Sequence, residues 1–91
     1  MKSIICENFG PLNSLVYKEV ETPKIQNPSD VLIKVFSSGV NFPDGLLVQG
    51  KYQLKPPLPF TPGMEVSGEV LNIGSEVTEF KIGEELLVYL N

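Results

Sequence analysis

Between Gly39 and Gly68 the chain reads GVNFPDGLLVQGKYQLKPPLPFTPGMEVSG. Asn41, Asp44, Tyr52 and Glu65 supply an amide, two carboxylates and a phenol, set among Phe42, Leu46, Leu47 and Val48 and followed by a proline run. A connection this long and this specific, lying between two strand-like segments, is the usual setting of a lid or a binding surface. What is absent narrows the chemistry further. The chain has no histidine and one cysteine, Cys6. A zinc site of the usual Cys/His type therefore cannot be assembled, and Ser-His-Asp triads lack their base. Cys6 reads as a small core residue, since no partner base lowers its pKa.

These residues need a scaffold, and 91 residues allow one domain at most. A domain of this size buries only roughly 60–65% of the surface its unfolded chain exposes, so the core is thin. Seven basic against eleven acidic residues give a net charge of −4, and no Lys/Arg cluster offers a phosphate-binding stripe. Nucleic acid is not an expected partner. No apolar run approaches a membrane span, and MKSIICENFG is too weakly apolar for a signal peptide. The expected compartment is the cytoplasm.

Period-two alternation recurs along the chain and is broken by turn residues. Met1 to Cys6 reads as a short strand ended by Gly10-Pro11, and Leu15 to Val20 as a half-buried strand ended by Thr22-Pro23. Val31 to Ser38 gives the clearest strand, Glu65 to Ile73 the next and Glu85 to Leu90 the last, with a short element over Val77 to Phe80. A short helix is predicted from Asn41 to Gln49. Asn41 is its N-cap, Asp44 its third-position carboxylate and Gly50 its end. Pro56, Pro57, Pro59 and Pro62 then forbid helix and central strand, which leaves an extended, semi-rigid crossing. Gly68 inside a strand predicts close backbone approach or a bulge. Six short strands and one helix predict an all-β barrel or sandwich with a helical insertion. The end at LLVYLN, without cap, turn or polar tail, reads as a cut chain.

The order of Val31-Leu32-Ile33-Lys34-Val35, Gly39-Val40-Asn41-Phe42-Pro43-Asp44, Gln49-Gly50-Lys51-Tyr52 and Pro59-Phe60-Thr61-Pro62-Gly63-Met64-Glu65-Val66-Ser67-Gly68-Glu69-Val70 resembles the N-terminal, GroES-like domain of the medium-chain dehydrogenase/reductase superfamily. Within it, the zinc-independent quinone oxidoreductase branch is the nearest match. Gly74-Ser75 and Val77 to Glu84 follow that pattern too, with Glu84 in place of the usual aspartate. The resemblance implies a GroES-like, partly open β-barrel spanning residues 1–91, the substrate-side portion of a two-domain α/β enzyme. Where zinc-dependent members place a cysteine and a histidine, this chain has Asn41 and Met64, an amide and a thioether that would not hold zinc.

The implied reaction is reduction of a quinone or enone by hydride from NADPH without a metal. The implied cofactor-binding residues are Asn41 and Asp44, and the implied substrate pocket holds Phe42, Tyr52 and Met64. Tyr52 is a hydrogen-bond donor to the substrate oxygen in this reading, or else simply lies over the prolines. Asn41 and Asp44 also make a sound helix cap, which does not exclude cofactor contact. Phe42, Leu47 and Phe60 read as packing ahead of pocket. Glu65 reads as a structural acid accepting backbone donors, with catalysis the lesser reading. No G-x-G-x-x-G turn occurs, so the Rossmann domain that holds the dinucleotide is missing here. The isolated chain is expected to be inactive and to bind NADPH weakly, and its strand edges are expected to favour self-association. The competing class is a stand-alone GroES-like interaction module of the cochaperonin kind.

Overall fold

The computed structural model describes residues 1–89. Two compact units make up the chain: Met1–Glu21 with Val40–Gly63, and Thr22–Gly39 with the chain from Met64 onward. The strands sort into one antiparallel sheet in each, which is the all-β class with one short helix that the alternation predicts.

In the first unit, β1 (Lys2–Ile5) pairs with β2 (Val16–Glu19), Ile4 opposite Tyr17 and Ile5 opposite Val16. The link between them holds an element that alternation does not reveal, a single 3-10 turn over Leu12–Ser14. It forms because the Ser14 N–H and hydroxyl both donate to the Pro11 carbonyl, at 2.9 and 2.6 Å. Helix α1 (Phe42–Val48) lies between Asn41 as N-cap and Gln49 as C-cap, with Pro43 in its first turn. Proline costs little there, since the first helical N–H groups have no intrahelical acceptor.

The core of this unit consists of Ile5, Cys6, Leu47 and Val48. Cys6 and Phe60 exchange backbone hydrogen bonds at 2.8 and 3.1 Å, which ties the proline-rich crossing to the end of β1. The Cys6 thiol donates to the Asn8 carbonyl at 3.3 Å, so the residue is buried and satisfied, as its lack of a partner base suggested. Phe9 tilts against Phe60 with ring centroids 6.2 Å apart and covers Gly50. Gly50 adopts φ 71°, a left-handed conformation that suits glycine at a helix end.

The second unit is built on a three-stranded sheet in the order β3 (Val31–Ser38), β4 (Glu65–Ile73), β5 (Glu85–Tyr89). Leu90, included in the predicted last strand, lies outside the described residues. The β3–β4 register slips twice, leaving Leu71 and then Phe36 without a partner. Between those irregularities Gly68 stands opposite Val35, and a Cβ there would meet Ile33 Cγ2 at 2.6 Å and the Lys34 carbonyl carbon at 3.0 Å. The close approach and the bulge expected of an in-strand glycine both occur. Fully buried Val70 centres the inner face.

Five strands form among the described residues, not six. Val77 to Phe80 is not a strand, because the turn leading into it spends its donors on the opposite loop. Gly74 N–H goes to the Asp30 carbonyl at 2.8 Å and Glu76 N–H to that of Pro28 at 2.9 Å. That loop is held by Asp30, whose Oδ2 accepts the N–H groups of Asn27 at 2.9 Å and Gln26 at 3.1 Å. The bonds from Asn27 first, then Gln26, hold the Asp30 carboxyl below its ordinary value of 3.8.

Candidate functional site

Asn41 and Asp44 are brought together as the sequence predicts. At the start of α1 the Asn41 N–H donates to Asp44 Oδ2 at 2.8 Å, the carboxylate leg of a capping box, and the Asp44 N–H donates to the main-chain carbonyl of Asn41 at 3.1 Å. Asp44 is buried, and its other oxygen, Oδ1, has no hydrogen-bond partner. A carboxylate oxygen removed from water without a donor costs free energy, on the order of 1–3 kcal/mol or more for a charged group. Capping therefore accounts for half of this side chain. Oδ1 remains an acceptor for an amide N–H or a hydroxyl.

The residues around the cap depart from one expectation. Phe42 is 81% exposed and the preceding Val40 is 91% exposed, so Phe42 is not the packing residue that its type suggested. Pro43 at the following position fixes the backbone, and the helix turns Leu47 and Val48 inward instead. Leu47 does pack, and Phe60 lies tilted against Phe9, in line with the sequence reading. Tyr52 is half-buried, three residues beyond the C-cap.

The second unit carries Met64 and Glu65 at the start of β4, both half-buried. Here the main-chain carbonyl of Glu65, and not its carboxylate, collects the donors: Gly39 N–H at 3.2 Å and the Ser38 hydroxyl at 3.1 Å. The Glu65 side chain lies against Gly39, with its Cγ 2.9 Å from where a Cβ would stand. Ser37 and Ser67 hydroxyls meet at 2.7 Å beside it. Ser37, Ser38, Gly39, Glu65, Val66, Ser67 and Leu87 line a shallow, open depression of about 330 Å³. These serines were not singled out by the sequence; the alternation of β3 and β4 was the one signal that could have paired them. A smaller depression of about 160 Å³ between Ser29, Val31 and residues 76–80 contains none of the sequence candidates. Among the described residues, no three His, Cys, Asp or Glu side chains converge as a metal cluster would require.

The alcohol dehydrogenase GroES-like domain model matches residues 27–91, and the chain belongs to that family. The rat (Rattus norvegicus) quinone oxidoreductase-like protein 2 is 47% identical over 73 residues, covering 80% of this chain and 21% of the relative. A probable oxidoreductase from Mycobacterium abscessus superposes with a TM-score of 0.86 at 38% identity, over 98% of this chain and 28% of that one. The quinone oxidoreductase of Thermus thermophilus, solved also in complex with NADPH, superposes with a TM-score of 0.72 at 28% identity, over 99% and 26% respectively. The chain thus spans about a fifth of the length of the rat relative.

Proposed function

We propose that residues 1–91 are the substrate-side domain of a zinc-independent, NADPH-dependent reductase of quinones or enones. Family membership and similarity to proteins named quinone oxidoreductases support the reaction class. The observation that carries the metal-free reading is the donor set. The chain has no histidine, and the family resemblance puts Asn41 and Met64, an amide and a thioether, at the two positions that metal-using members give to a thiolate and an imidazole. A quinone or enone is already polarised, so it accepts hydride without a Lewis acid provided that the reactants are positioned and kept from water.

The cofactor reading is supported by the orphaned Asp44 Oδ1, an acceptor suited to a carboxamide N–H such as nicotinamide carries. Asn41 and Asp44 are the residues assigned to hold that group, and the cofactor supplies the hydride when bound. Asp44 accepts one hydrogen bond while its second oxygen keeps the helix start fixed through the Asn41 N–H. The Tyr52 hydroxyl donates to the substrate oxygen and stabilises the negative charge that reduction places there. Phe42 and Met64 supply apolar and polarisable surface for the substrate ring. The dinucleotide itself belongs to a Rossmann domain outside these residues.

A chimaera tests this reading: residues 1–91 replace the matching segment of the Thermus thermophilus quinone oxidoreductase, and NADPH oxidation is followed with a quinone series. Quinone-dependent oxidation is expected from the chimaera, and only background from the isolated chain. A folded chimaera that binds NADPH but reduces neither quinones nor enones contradicts the proposal.

A further inference from the structure

Tyr52 stands in a stretch whose own backbone does little to fix it. Among the described residues, no main-chain hydrogen bond is made by any residue from Tyr52 to Pro59, so the segment is set by what holds its two ends. At the first end α1 closes on Gly50: its N–H donates to the Leu47 carbonyl at 3.1 Å, and the Lys51 N–H donates to that of Leu46 at 2.9 Å. At the second end Phe60 is bonded to Cys6 through both main-chain groups.

One ring bears on both ends. A Cβ on Gly50 would lie 3.1 Å from Phe9 Cγ and 3.3 Å from Phe9 Cβ, so the Phe9 side chain rests on the turn itself. The same ring is tilted against that of Phe60, with centroids 6.2 Å apart. Phe9 is held in its turn through the next residue, since the Gly10 N–H donates to the Val48 carbonyl at 3.0 Å. Yet Phe9 is 37% exposed and is not one of the buried residues Ile5, Cys6, Leu47 and Val48. Filling the core does not account for a phenyl ring at this place.

We infer that Phe9 is a positioning residue for Tyr52: it braces the Gly50 turn against Phe60 and so fixes where the phenol stands. The inference rests on the reading of Tyr52 as donor to the substrate oxygen. An O–H donor must come within roughly 2.5–3.0 Å of its acceptor, and a displacement of about 1 Å forfeits the bond. Without the ring, the helix end keeps its hydrogen bonds but loses its cover, and the crossing loses its aromatic contact. Tyr52 then lies between two loosened supports, on a backbone with no hydrogen bonds of its own.

A double-mutant cycle in the chimaera that carries residues 1–91 tests the inference, with Phe9→Ala, Tyr52→Phe and both together assayed on p-benzoquinone. Phe9→Ala is expected to lower kcat and kcat/KM together, by up to the roughly tenfold that loss of the Tyr52 hydroxyl gives, with NADPH affinity and far-UV circular dichroism unchanged. In the Tyr52→Phe background the same truncation is expected to cost less than about twofold, because the hydrogen bond is already gone. Phe9→Leu, a milder truncation that keeps Cβ, Cγ and a Cδ1 against Gly50, goes through the same cycle and is expected to show the same coupling with a smaller loss. Equal losses with and without the Tyr52 hydroxyl, or Phe9 variants as fast as the parent chimaera, overturn the inference and leave the role of Tyr52 standing. A Tyr52→Phe chimaera as fast as the parent removes that role, and the inference with it.

Discussion

Replacing Gly68 with alanine is a one-methyl change whose cost follows from the coordinates. The new Cβ would lie 2.6 Å from Ile33 Cγ2 and 3.0 Å from the Lys34 carbonyl carbon, where ordinary van der Waals contact begins near 3.4 Å. Ile33 could change rotamer, but Lys34 presents backbone that is fixed by its pairing opposite Glu69. Relief requires β3 and β4 to separate next to the Phe36 bulge, at a buried position of the central strand. Overpacking of this kind costs about 1–3 kcal/mol, and a backbone obstruction places it at the upper end, ~3 kcal/mol. A domain of 91 residues has a total stability of about 5–14 kcal/mol, so the loss is a large share of it. Urea titration followed by circular dichroism should show the midpoint falling with an unchanged slope, and thermal unfolding should shift down by roughly 10–20 °C. A loss below ~0.5 kcal/mol, the range of substitutions that meet no obstruction, would refute the assignment of Gly68 to close strand approach.

Gly45 gives the opposite sign: it lies inside α1 with only Leu12 Cδ2 near its missing Cβ, at 3.9 Å, so Gly45→Ala should stabilise by about 0.5–1 kcal/mol in the same titration. Asp30→Ala should lower stability at neutral pH. The difference from the parent chain should shrink as pH falls from 3.8 through the lower folded-state value, because a depressed carboxyl stabilises only while ionised; urea titrations across that range check it. In the quinone-reducing chimaera, Tyr52→Phe should lower kcat/KM by roughly tenfold, the loss of one hydrogen bond of about 1.4 kcal/mol in the transition state, with little change in NADPH affinity.

Much of the scaffold could be read from the residues because local and tertiary demands agree in it. β3 and β4 occupy the spans that alternation predicts, bounded by Gly39 and Gly74, and the Asn41/Asp44 spacing located the helix start. What was illegible depends on distant partners or on single local hydrogen bonds that leave no periodic pattern. The Cys6–Phe60 bridge joins residues far apart in sequence, and the 3-10 turn rests on one Ser14 hydroxyl with no periodic signal. Val77 to Phe80 has strand composition, yet the loop at Pro28 and Asp30 claims the preceding turn. At the candidate site, residue types identified the polar groups but not their state. The spacing of Asp44 showed a cap, while the solitary Oδ1 and the exposure of Phe42 appear only once the helix is packed.

The proposed metal-free hydride transfer makes one direct demand of the chimaera or of any longer protein that contains this chain. Its quinone-dependent oxidation of NADPH should be measured alongside bound zinc, before and after exhaustive dialysis against a strong chelator. An unchanged rate with far less than one zinc per chain is the expected result; stoichiometric zinc whose removal abolishes the rate, and whose return restores it, would contradict the proposed chemistry.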